Sequence, residues 1–170
     1  SGSEYYNHHT WMTTTYLWYY NTILSGSISS SNVIDSVVSW SAHILPDQAY
    51  SICSSSKSDM LIDAGLAIAQ DKDTQTNIAD ILTVVCHNSN ATGRYDVTAN
   101  SSSFIQHAIA VGSGDLNDSD AAWSTSYGYG MEFIEPTERD DIGSAGGVNW
   151  LDEHQQSPAT AIVAAKMKYI

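Results

Sequence analysis

The stretch SPATAIVAAKMKYI, residues 157–170, constrains the fold of this chain more than any other. Ala159, Ala161, Ile162, Val163, Ala164 and Ala165 leave a helix almost no polar face, so it must run through a core and not along a surface. Ser157 is the expected N-cap and Pro158 the first helical residue, where a missing N–H costs nothing. Asp152 and Glu153 precede the positive end of the helix, and Lys166 and Lys168 fall in its last turn, both favourable for the macrodipole. A hydroxyl at such an N-terminus suits nucleophilic catalysis, because a developing oxyanion would sit among unpaired backbone N–H groups. The same serine is equally an ordinary helix cap.

A core helix needs a sheet to cover. Residues 81–86 (ILTVVC) form a short apolar run of the kind that builds a buried parallel strand, and the run ends in His87 and Asn88. Residues 107–112 (HAIAVG) form a second such run. Residues 121–137 then read as a turn, a short strand over 131–135 and a proline stop. Residues 59–70 are expected to be a helix with Leu61, Ala64, Gly65 and Ile68 on one face, which with its flanking strands makes a right-handed βαβ unit. These elements predict an α/β fold, a parallel sheet flanked by helices.

The first thirty-one residues differ in character. Trp11, Tyr16, Leu17, Trp18, Tyr19, Tyr20, Ile23 and Leu24 predict an aromatic helix, with Leu17, Tyr20 and Leu24 on one face and rings on the others. Either the surplus rings meet another subunit, or the helix is sandwiched between the sheet and loops of the same chain. Residues 25–31 (SGSISSS) read as a turn or linker. The expected division is therefore residues 1–31 as an aromatic helical segment and linker, and residues 32–170 as the α/β domain.

A strand ending in Asn88, a strand of the IAVG type at 109–112, the WSTSYG turn at 123–128, a strand ending before Pro136 and a helix led by Ser157 follow one another in this order. The series resembles the subtilisin-like serine proteases. The resemblance extends back to residues 32–39 (NVIDSVVS), similar to the family's substrate-flanking strand, and covers about four fifths of the chain. It implies a subtilisin-like fold in which Ser157 is the nucleophile and Asn88 the side-chain oxyanion donor. The sequence also departs from the family's pattern. Gln155 and Gln156 replace Gly-Thr before the serine, His87 replaces a small residue, and Pro158, Ala161 and Ile162 replace the usual Met, Pro and His. Gln155 stands where a residue without Cβ lets substrate approach closely. The family's catalytic Asp and His come from a front half for which only about thirty residues precede Asn32. A second polypeptide completing the sheet is the expected partner.

His8 and His9 lie too near Asn32 to occupy the family's base position, and read as solvated terminal residues. His154, three residues before Ser157, and His87, beside Asn88, are the candidate bases; the bland alternative for each is a hydrogen-bonded loop histidine.

Composition points to an extracellular protein. Hydrophobic residues make up 42% and charged residues only 15%, with hydroxyls and amides filling the difference. Six Lys and Arg against nineteen Asp and Glu give a formal charge of −13, which argues against nucleic-acid or anionic-membrane binding through a basic patch. No apolar run is long enough to span a membrane, and the polar opening residues are not those of a signal peptide. Asn90, Asn100 and Asn117 each begin a glycosylation sequon. Cys53 and Cys86 are expected to close a loop of about thirty residues, worth roughly 3 kcal/mol on the chain-entropy model. The alternatives are two buried thiols or a bridge to another chain. Asp115, Asn117, Asp118, Ser119 and Asp120 concentrate oxygen ligands as calcium sites do, but lack the Gly and Glu of an EF-hand; otherwise no cofactor is implied.

Three functional expectations follow. The chain is a non-proteolytic, secreted binding subunit on a degenerate subtilisin-like fold, of the toxin or defence-complex type. Alternatively it is the serine-bearing subunit of a two-chain endopeptidase, or a structural or storage protein sharing only the architecture.

Overall fold

The computed structural model describes residues 12–33, 59–63, 82–86, 93–94, 108–114, 126–127, 131–136, 144–145, 148–149 and 156–170. At its centre is a four-stranded, wholly parallel sheet of β1 (Met60–Asp63), β2 (Leu82–Cys86), β4 (Ala108–Gly114) and β6 (Phe133–Pro136), in that spatial order. The register sets Met60 beside Leu82, Val84 beside Ile109, and Val111 beside Phe133. Two smaller pairings accompany it: β3 (Gly93–Arg94) runs parallel to β5 (Ser126–Tyr127), and β7 (Ser144–Ala145) antiparallel to β8 (Val148–Asn149).

The expected apolar strands are present, and in β2 Thr83 and Val84 are buried. In β4 every residue from Ala110 to Gly114 is buried, so the strand is covered on both faces, as parallel strands require. The Cβ that an alanine would carry at Gly112 would lie 2.1 Å from Met131 Sδ, so the missing side chain gives Met131 its seat on the strand. Just before β6, Glu132 makes a reciprocal contact. Its N–H donates to the Ala110 carbonyl at 3.0 Å, and its Oε2 accepts from the Ala110 N–H at 2.6 Å. A side chain thus extends the ladder beyond the strand.

The terminal helix, here α2 (Gln156–Tyr169), packs against all four strands of the sheet. Every residue from Ser157 to Ala165 is buried, and Ile162, Ala161, Ala164 and Ala165 lose all exposure. Alanines bring the backbone close to the sheet, while Ile162 and Val163 each contribute about 1.5–3 kcal/mol of burial. The helix begins two residues earlier than the sequence suggests. Ser157 is its second residue, not its cap, and Pro158 its third; the proline is still tolerated because none of the first four N–H groups has an intrahelical partner. At the other end Lys168 pairs with the exposed Asp59, fastening the last turn to the start of β1.

Helix α1 comprises residues 12–18 and continues into a π-helical turn, Tyr19–Ile23. Its buried residues are Met12, Thr15, Tyr16 and Tyr19, spaced i, i+3, i+4, i+7, and not the Leu17–Tyr20–Leu24 face read from the sequence. Those three residues are partly buried against the same core, which joins α1 to α2, Val84 and Val111. The helix ends with Ser25 at φ 56°, and Gly26 N–H returns to the Tyr20 carbonyl at 2.9 Å. Gly26 has no Cβ to strike the Tyr20 ring, whose nearest carbon would be 2.2 Å away. Asn21 then clasps the following loop: its side chain donates to the Ile28 carbonyl at 2.9 Å and accepts from the Ile28 N–H at 2.7 Å.

One expected element is corrected. Residues 60–63 are not the first turn of a helix but strand β1, paired along its length with β2. Four consecutive hydrogen-bonded partners outweigh a weak local helix preference. Residues 64–70, and residues 34–39 of the expected substrate-flanking strand, lie outside the described residues; Ser30–Asn32 form a 3-10 turn.

Candidate functional site

Ser157 lies in the first turn of α2, where the helix N–H groups are unpaired and the macrodipole is positive. That field suits an anion or a developing oxyanion. Access does not match it: Ser157 is 8% exposed. Nucleophilic attack needs a carbonyl carbon within about 3–3.5 Å along an open line. One turn further on, Thr160 is wholly buried and engaged.

The helix lies against β2, the strand whose last residue, Cys86, precedes His87 and Asn88. Helix α2 and the strand that ends two residues before Asn88 are therefore neighbours. Asn88, His87 and His154 themselves lie outside the described residues, as do Cys53, the side chain of Cys86, the sequon residues Asn90, Asn100 and Asn117, and Asp115 and Asp120 of the acidic loop. Among the described residues no three His, Cys, Asp or Glu side chains cluster as a metal site, and no helix is long and apolar enough to cross a membrane.

The best-defined polar group in the core was not singled out from the sequence. Glu135, 6% exposed, sits on β6 and receives Lys166 Nζ on both carboxylate oxygens, at 2.8 and 2.7 Å. The ammonium also lies 5.7 Å from the centre of the Tyr19 ring. Sheet, terminal helix and aromatic helix thus meet at one cation. A signal was present: an acidic residue inside an apolar strand must find a partner, and the all-apolar helix offers Lys166 as its first cation. Thr15 Oγ1 is the other buried polar atom of note, without a hydrogen-bond partner among the described residues.

Tyr16 is buried in the same core, its ring centre 6.4 Å from that of Tyr20. Its phenol is pushed up to about 12, chiefly by burial, then by Tyr20 and Asp59. It remains a neutral phenol across the physiological range.

Compared with known proteins, the chain matches no family model, and no curated protein sequence aligns with it. The α/β architecture therefore stands on the parallel sheet and its covering helices alone.

Proposed function

We propose that the chain is a secreted subunit that acts by binding, on a degenerate subtilisin-like scaffold, and does not hydrolyse peptides. The observation that carries this reading is that Ser157, the residue the resemblance makes the nucleophile, lies in the first turn of a helix and is only 8% exposed. The strand order supports the scaffold: a parallel sheet in which β2, β4 and β6 lie side by side, crossed by an apolar helix with a serine in its first turn, is the arrangement the sequence resemblance implies. Gln155, Gln156 and His87 occupy positions where the chemistry would need smaller residues. Low charge, abundant hydroxyls and three sequons support an extracellular setting, and a toxin or defence-type complex is the context in which such a subunit would work with a second polypeptide.

The test is reaction with a fluorophosphonate probe, with native mass spectrometry on the same material. The expected result is no label on Ser157 and no peptidase activity that Ser157→Ala removes. A label on Ser157, carried in a two-chain assembly, would instead make the chain the serine-bearing half of an endopeptidase, with Asn88 and the Ser157 N–H holding the oxyanion.

A further inference from the structure

The contact between Gly112 and Met131 joins the middle of β4 to the chain that leads into β6. Gly112 is buried, and Met131 is partly exposed. The sulfur is the part of the side chain turned to β4: a Cβ on Gly112 would overlap Sδ, while Cε and Cγ lie farther back, 3.3 and 3.4 Å from the same point. A thioether carries its lone pairs opposite its two carbons, so with Cγ and Cε set back the lone pairs face the strand. An oxygen bonded to that sulfur would need space beside Gly112 where not even a methyl group fits. The seat and the sulfoxide exclude one another.

The next residue depends on that seat. Glu132 N–H donates to the Ala110 carbonyl at 3.0 Å, and its Oε2 accepts from the Ala110 N–H at 2.6 Å. Ala110 is 1% exposed, so water does not readily replace the carboxylate at its N–H. Glu132 is itself exposed, and on its N-terminal side Met131 is the residue that holds the chain against β4. The other three methionines are placed differently: Met12 is buried, and Met60 and Met167 pack against the hydrophobic core.

We propose that Met131 is a site of reversible sulfoxidation and acts as a redox latch on the start of β6. A hydroperoxide is the oxidant. The sulfur lone pair forms the S–O bond to the terminal peroxide oxygen and the O–O bond breaks. The displaced oxygen keeps the bonding pair, takes the hydroxyl proton and leaves as water or an alcohol, so that sulfur is oxidised and the peroxide reduced. The transfer takes place while the side chain is off Gly112. The sulfoxide, polar and larger, does not return, so the contacts between Glu132 and Ala110 open until a methionine sulfoxide reductase restores the thioether. The latch uses no part of the Ser157 site and holds whether or not that serine reacts.

In the test, the full chain is treated with dilute hydrogen peroxide, oxidation of each methionine is mapped by peptide mass spectrometry, and amide hydrogen exchange is followed on the same material. Met131 is expected to be oxidised, with exchange at Ala110 and Glu132 about tenfold faster as a result. A mixture of the two reductases, one for each sulfoxide epimer, is expected to restore both the mass and the protection. Met131→Leu, an apolar side chain of similar volume that takes no oxygen, is expected to keep its protection in peroxide. Gly112→Ala denies the seat and is expected to speed Met131 oxidation by about tenfold. Sulfoxide at Met131 with exchange at Ala110 and Glu132 unchanged overturns the proposal. So does an equal loss of protection in Met131→Leu, which would assign the effect to another methionine, and so does a Met131 that stays reduced while Met60 or Met167 is converted. Should Gly112→Ala fail to fold, the comparison of the unaltered chain with Met131→Leu decides the matter.

Discussion

Lys166 and Glu135, 31 residues apart in sequence, form a two-pronged ion pair of 2.7 and 2.8 Å that locks the last turns of α2 to β6. The two partners are unequally placed: the Glu135 side chain is 8% exposed and that of Lys166 39%. The carboxylate is therefore the group that depends on the pair, since the ammonium still reaches water.

Lys166→Met leaves Glu135 buried without its cation and is expected to cost about 3 kcal/mol, measured by urea unfolding at neutral pH. The double variant Lys166→Met/Glu135→Leu is expected to recover most of that loss, because two apolar groups of similar volume need no partner. A double variant no more stable than Lys166→Met would show that the pair is not the cause.

Raising the pH above 10 is expected to destabilise the protein through Tyr16. Its pKa is held up at about 12 in the folded chain, against 10.0 for a solvent-exposed phenol, so between those values the folded state binds the proton and the unfolded state does not. The stabilising contribution is complete below pH 10 and is lost as pH rises toward 12. Tyr16→Phe removes that slope; thermal melts of both proteins across pH 9–12 should differ in steepness, and parallel curves would exclude Tyr16.

The end of α1 offers two opposed changes. Ser25 sits in the left-handed region at φ 56°, so Ser25→Gly is expected to raise stability by up to about 1 kcal/mol. Asn21→Ala removes both contacts to Ile28 and is expected to cost about 1–3 kcal/mol. Chemical denaturation of the two single variants checks both signs.

Core volume should matter most under α2. Ile162→Ala is expected to cost about 2–5 kcal/mol, whereas Ile134→Ala, at a partly exposed edge position, should stay near 0.5 kcal/mol. Gly112→Ala pushes Met131 from its seat at a cost of about 1–3 kcal/mol, and Met131→Ala in the same chain should relieve the clash. If the second substitution only adds to the first, the proposed contact between Gly112 and Met131 is not what limits packing.

Several parts of this architecture were legible in the residues. The run from Ala159 to Ala165, apolar but for Thr160, demanded a core helix, and it is one, because no orientation could give such a helix a wet face. The runs at 81–86 and 107–112 called for buried strands, because β-branched and small residues without alternation suit a sheet covered on both sides, and strands stand at 82–86 and 108–114. Tertiary structure decided what local pattern left open. Met60–Asp63 became a strand because β2 offered it a parallel partner, and partners are invisible to a local window. The buried face of α1 fell on Met12, Thr15, Tyr16 and Tyr19 because aromatic residues surround that helix, so only the position of α2 could choose among them. The burial of Ser157 and the capture of Glu135 by Lys166 arise in the same way. Each depends on where the helix lies across the sheet, a relation between distant residues that packing sets and sequence order does not.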